Sequence, residues 1–91
     1  MAGPTIGRLK PSAVSVGTTR KLLPASPTAG KISLIIRNNG SNTIYVGDVT
    51  VTAANGYPVK AGEQFPMDIS GIGTYAITSA GTSDVRVLEG L

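Results

Sequence analysis

The sequence predicts an all-β fold, a small antiparallel β-sandwich or barrel of six to eight short strands with an extended N-terminal arm. Three observations carry that reading. Apolar residues alternate with polar ones in several runs of four to eight residues, the period expected where successive side chains point to opposite faces of a strand. Turn-forming clusters rich in Gly, Asn, Pro and Ser separate those runs at the spacing of a sandwich. No window of useful length keeps an apolar 3.6 period, which a helix packed on a core would need.

Residues 1–28 read as the arm. Pro4, Pro11, Pro24 and Pro27 stand among Gly, Ser and Thr, a composition that resists helix and favours extended backbone. Ala13 to Val16 and Lys21 to Leu23 offer two short edge-strand candidates. Taken alone, this make-up also fits a flexible terminus. As an ordered segment with little core of its own, it needs a surface to hold it, and the expectation is that it lies along a partner subunit.

Residues 29–91 read as the domain. Lys31 to Gly47 gives two alternating arms around Asn38-Asn39-Gly40-Ser41-Asn42, the pattern of a β-hairpin whose Asn-Gly tolerates positive φ. Ile32, Leu34 and Ile36 face inward, with Lys31, Ser33, Ile35 and Arg37 on the other side. Asp48 to Ala54 reads as a further strand with Val49 and Val51 inward. Turns follow at Asn55-Gly56 and Lys60 to Glu63. Phe65, Met67 and Ile69 then face inward, and Pro66 marks an edge or bulge because it cannot donate to a ladder. A turn at Ser70 to Gly73 leads to a strand with Tyr75 and Ile77 inward. After a turn at Ser79 to Thr82, a closing strand turns Val85 and Val87 inward. Ile44 and Val46 complete this aliphatic core. The apolar residues on the nominally outward faces, Ile35, Ala54, Ala76 and Leu88, fit subunit contacts and equally an ordinary scatter of exposed apolar side chains.

Ninety-one residues allow one small domain. Cysteine and histidine are both absent, so neither disulfides nor a zinc site of nitrogen and sulfur ligands can staple it. Tight β packing and association between subunits are the remaining sources of stability. No run of about 18 apolar residues occurs as a membrane span needs, and residues 1–11 do not read as a signal peptide. The expectation is a soluble, unexported polypeptide. Charge is unevenly placed. Met1 to Gly47 carries Arg8, Lys10, Arg20, Lys21, Lys31 and Arg37 and no acid, whereas Asp48 to Leu91 sets Asp48, Glu63, Asp68, Asp84 and Glu89 against Lys60 and Arg86. Such asymmetry suits an acidic partner, nucleic acid or head-to-tail contact between copies.

No catalytic constellation can be assembled. A Ser-His-Asp or Cys-His arrangement lacks its base, and the five acids are scattered over turns and outward positions, so the chain reads as no enzyme. Asn38, Asn39, Asn42 and Asp48 lack the acidic density of a calcium loop, and Gly71-Ile72-Gly73 lacks the remainder of a dinucleotide fingerprint. No metal or cofactor is expected. Arg8, Lys10, Arg20 and Lys21 have no interleaved aromatics for stacking on single strands. A loose phosphate-contacting arm is the form nucleic-acid binding would take.

The ordered set IIRNNGSNTIYVG, VTAANGYPVKAGEQFPMDI and YAITSAGTSDVRVLE resembles small virion structural proteins of tailed bacteriophages. The likeness spans residues 31–89. It implies a β-sandwich structural protein of the virion, a head decoration or cement protein, with the major capsid protein as partner and no catalytic residue. The sandwich is expected to form a homo-oligomer, a trimer or a cluster at a capsid symmetry point. Arg8, Lys10, Arg20 and Lys21 would meet acidic capsid patches, and Ile35 and Leu88 would lie in subunit contacts. Deleting residues 1–28 should then abolish head binding and leave the domain folded. The alternative is a tail, fibre or baseplate module binding a host surface glycan through Asn42, Tyr45, Asn55 and Tyr57.

Overall fold

In the computed structural model, residues 9–28, 30, 33–68 and 73–91 are described. They form eight strands: β1 (Leu9–Val16), β2 (Lys21–Leu22), β3 (Ser33–Asn38), β4 (Ile44–Gly47), β5 (Tyr57–Val59), β6 (Gln64–Met67), β7 (Tyr75–Thr78) and β8 (Ser83–Gly90). Two four-stranded antiparallel sheets result, a first in the order β1-β8-β3-β6 and a second in the order β2-β7-β4-β5. The expected all-β sandwich is the fold. Its pairings are nested, β1 with β8, β2 with β7, β3 with β6 and β4 with β5. This is the strand order of a jelly roll, one long hairpin rolled into two facing sheets.

That topology corrects the domain division. Residues 1–8 lie outside the described residues, but residues 9–23 are part of the sandwich rather than an arm laid on a partner. All eight residues of β1 pair with β8, and Val14, Val16 and Leu23 are buried in the core. The alternation seen at residues 13–16 and 21–23 does mark edge strands. Their apolar side chains are core, so a boundary near residue 28 cuts through it. Deleting residues 1–28 removes two strands and three core side chains.

The hairpin over residues 31–47 is also corrected. β3 and β4 belong to different sheets and do not pair. The segment between them is an arch crossing from one sheet to the other. Gly40 is not among the glycines with positive φ. What it supplies is space: a Cβ there would meet Ser83 Oγ and stand 2.6 Å from the Asp84 backbone nitrogen. β4 and β5 are the only strands adjacent in sequence that pair, and every other connection crosses between the sheets.

The strand expected over residues 48–54 is not formed. Asp48 Oδ1 accepts hydrogen bonds from the Thr50 backbone N–H (2.8 Å) and hydroxyl (2.6 Å), and Asn55 Oδ1 accepts from the Thr52 N–H (2.8 Å). These side chains satisfy the donors that a strand would offer to a neighbour, and the chain turns instead. Val49 is left exposed, while Val51 is buried against Gly47 and Gly56 rather than between the sheets. A Cβ at Gly56 would come within 2.6 Å of Tyr45 Cβ, so this loop folds over the outer face of the second sheet.

The core consists of Val14, Val16, Leu23, Leu34, Ile36, Ile44, Val46, Val59, Ala76, Val85 and Val87, with Phe65 and Met67 packed against it. The phase of β7 is the reverse of the expectation: Thr74, Ala76 and Thr78 are buried, and Tyr75 and Ile77 are half-buried on the outer side. Ile32 and Ile69, like the turn at Ser70 to Ile72, lie outside the described residues. Tyr57 on β5 stacks on Phe65 of β6, with ring centroids 5.0 Å apart, and so joins the two sheets along one side.

Two buried polar hubs tie opposite ends. At one, the fully buried Asn38 donates from Nδ2 to the carbonyls of Asn42 (2.7 Å) and Val59 (2.8 Å). Its Oδ1 accepts from the Gly40 N–H (3.2 Å) and the Ser83 hydroxyl (2.6 Å). At the other, Glu89 is fully buried rather than an outward surface charge. Its carboxylate accepts from the Thr28 N–H and hydroxyl, each at 3.0 Å. It thereby closes the long connection from β2 to β3 onto β8.

Candidate functional site

Because the strands alternate, each sheet has one face in the core and one outside, and the outer faces are where the fold leaves apolar side chains without a layer above them. On the first sheet, register places Pro11 opposite Leu88, Leu88 opposite Ile35, and Ile35 opposite Pro66. An apolar row thus crosses all four strands. Beside it runs a second row, Ala13, Arg86, Arg37 and Gln64. Between the rows lies an open depression of about 430 Å³ lined by Pro11, Ala13, Ile35, Arg37, Arg86 and Leu88. Its walls are flat strands.

The two arginines differ electrostatically. Arg86 is paired with Asp84, Nη2 to Oδ2 at 3.0 Å, and Asp84 also accepts from Asn39 Nδ2 at 3.3 Å. The Arg86 hydrogen bonds, then that of Asn39, hold the Asp84 carboxyl below its ordinary range, and the same pair raises Arg86. Arg37 is exposed and makes no hydrogen bond or ion pair among the described residues.

The second sheet's outer face carries Tyr75 and Ile77 on β7, Tyr45 on β4 and Leu22 on β2, all half-buried. The 48–56 loop covers the Tyr45 side. A groove lined by Thr18, Thr19, Arg20, Tyr75 and Ile77 stays open. Arg20 Nη1 donates to the Val51 carbonyl at 3.3 Å, which ties the loop to this rim.

The residues expected to bind a partner are therefore divided. Ile35 and Leu88 are neighbours in the apolar row of the first sheet. Arg20 lines the open groove of the second sheet's outer face, whereas Lys21, opposite the buried Ala76 and so on the other face of β2, is exposed beside Ser15, Gly17 and Thr82. Lys10 is apart from both, at the β1 edge, with Nζ donating to Thr28 Oγ1 at 3.1 Å. Arg8 lies outside the described residues. The contiguous basic arm is dispersed because β1 and β2 belong to different sheets.

Sequence reasoning placed Ile35 and Arg37 on one face but did not name Arg37, Pro11 or Pro66 as part of a surface. The alternation of β3 was signal enough for Arg37. The prolines required knowing that β1 and β6 flank the same sheet. Of the four residues considered for glycan binding, Tyr45 packs on Gly56, between Asn55 and Tyr57, and Asn42 stands apart. Asn42 donates to the Thr82 carbonyl (2.7 Å) in the turns around Asn38, Asn55 belongs to the 48–56 loop at the other end of β4, and Tyr57 is stacked on Phe65. Among the described residues, no three His, Cys, Asp or Glu side chains gather, and no helix is long and apolar enough to cross a membrane.

No family model matches the chain, and no curated protein matches it in sequence.

Proposed function

We propose that this chain is a structural virion protein of a tailed bacteriophage, a capsid decoration protein that bridges major capsid subunits. The observation that carries the reading is that both outer faces of the sandwich present half-buried apolar residues bordered by a cation, Ile35 and Leu88 with Arg37 on one side and Tyr75 and Ile77 with Arg20 on the other. Two contact surfaces on opposite sides suit a protein that links neighbours in a shell. Jelly rolls also build capsid and lectin domains, and that likeness is analogy of fold only.

The second sheet's outer face is the capsid contact in this proposal. Tyr75, Ile77 and Leu22 bury apolar area there, and Arg20 meets carboxylates of the major capsid protein. This keeps the role expected of Arg20 and moves it from a free arm to a rigid rim. The test is binding of the purified full-length chain to heads from a phage lacking its gene. Hundreds of copies per head are expected, with binding lost in Ile77→Asp and weakened in Arg20→Glu. Absence of binding by the unaltered chain, or a few copies at the tail alone, overturns the proposal.

A further inference from the structure

The first sheet's outer face has a charge pattern that is its own complement. On one side of the row Pro11, Leu88, Ile35 and Pro66 stand the unpaired Arg37 and the Asp84-bound Arg86. On the other side are Leu9, Gly90 and Ser33. Leu34 is opposite Met67, so the register continued by one residue brings Asp68 beside Ser33. Asp68 is exposed and has no hydrogen bond or ion pair among the described residues.

We infer that this face pairs with the same face of a second copy, about a two-fold axis lying along the apolar row. Such an axis exchanges the two flanking rows, because in an isologous contact each residue meets its counterpart's partner. Arg37 of one copy then lies over Ser33 of the other, with Asp68 one strand away, about 4.8 Å to the side. Arg86 lies over Gly90. The long side chains fall on the small ones, and the unpaired cation falls beside the unpaired carboxylate. The apolar rows meet at the centre and lose water together.

Edge-to-edge pairing is blocked. Three of the four edge strands carry proline, Pro11 on β1, Pro66 on β6 and Pro58 on β5, and the fourth, β2, has two residues. Each proline removes a donor from an open edge. An acidic partner of another kind is a poorer fit, since Asp68 flanks the row that it would cover.

Four strands and three rows cover roughly 400 Å² per copy at ordinary strand spacing, or roughly 800 Å² in all, below the range of stable dimers. The contact is therefore weak in dilute solution and populated where copies are crowded.

Sedimentation velocity of the full-length chain from micromolar to about millimolar concentration tests this without heads, so its failure is separate from failure of the capsid proposal. Concentration-dependent dimerisation is expected, with amide shifts in NMR centred on Ile35, Arg37 and Leu88. Ile35→Asp should abolish it while the circular dichroism of the fold is kept. Arg37→Asp and Asp68→Arg should each weaken it roughly threefold to tenfold by converting attraction to repulsion, and the double exchange should restore it. A monomer throughout the range, dimerisation that survives Ile35→Asp, shifts centred elsewhere, or no recovery in the double exchange overturns the inference.

Discussion

At the scale of single residues, the sandwich depends on two buried polar side chains more than its aliphatic composition implies. Asn38 uses both amide hydrogens and accepts twice on its carbonyl. Asn38→Ala leaves two carbonyls, one N–H and one hydroxyl without that partner, and a loss of about 2–4 kcal/mol is expected in chemical denaturation. Thr28→Val removes the hydroxyl that donates to Glu89 and accepts from the exposed Lys10, and should cost about 1–3 kcal/mol, chiefly for the hydrogen bond to the buried carboxylate. The exposed Asp84 makes a different prediction. Its carboxyl is held below the ordinary range chiefly by Arg86, so Arg86→Gln should raise its midpoint in an NMR titration. The sign follows from linkage: a lowered folded value gives stability that is present above the unfolded carboxylate pKa and lost as pH falls through the folded one. Arg86→Gln should therefore reduce the acid dependence of unfolding in that window, with the small loss of stability seen at neutral pH, where the pair is intact, and none below the folded midpoint.

At the scale of elements, the jelly roll makes the N-terminal strands indispensable. A chain beginning at residue 29 lacks Val14, Val16 and Leu23 and leaves β8 and β7 without their outer neighbours. It should show no cooperative unfolding transition by circular dichroism, whereas a chain beginning at Leu9 should keep one. Much of each strand was legible in the sequence, because alternation in β3, β4, β6 and β8 is a local property. Which strands pair was not, because nested pairing joins residues as far apart as Leu9 and Gly90, and the Asn-Gly segment looks the same whether it closes a hairpin or crosses between sheets. Two local rules were overridden. Asp48 and Asn55 turned an alternating run into a loop by capturing its N–H groups. On β7 the small Ala76, Thr74 and Thr78 went inward because the outer face of that sheet also shelters apolar groups, so size no longer told inside from outside. Of the candidate surface, Ile35 and Leu88 were visible as apolar residues on outward positions, but their junction into one row with Pro11 and Pro66 is a product of register.

At the scale of the whole molecule, two faces with separate tasks make separable predictions. If the second sheet seats the chain on a capsid and the first joins it to a neighbouring copy, crowding on the shell raises the local concentration of the weakly pairing face, and occupancy becomes cooperative without any new contact. Ile35→Asp should then convert a steep head-binding isotherm into a shallow one while leaving the affinity of the first molecules bound unchanged. Ile77→Asp should do the reverse, losing head binding but keeping dimerisation at high concentration in solution. A quantitative isotherm on heads lacking the protein, measured with both variants and the unaltered chain, checks this. If both variants lose head binding alike, one face serves both contacts and the division of labour between the sheets is wrong. If Ile35→Asp binds with undiminished steepness, the cooperativity arises from the capsid lattice and not from pairing of the first sheets.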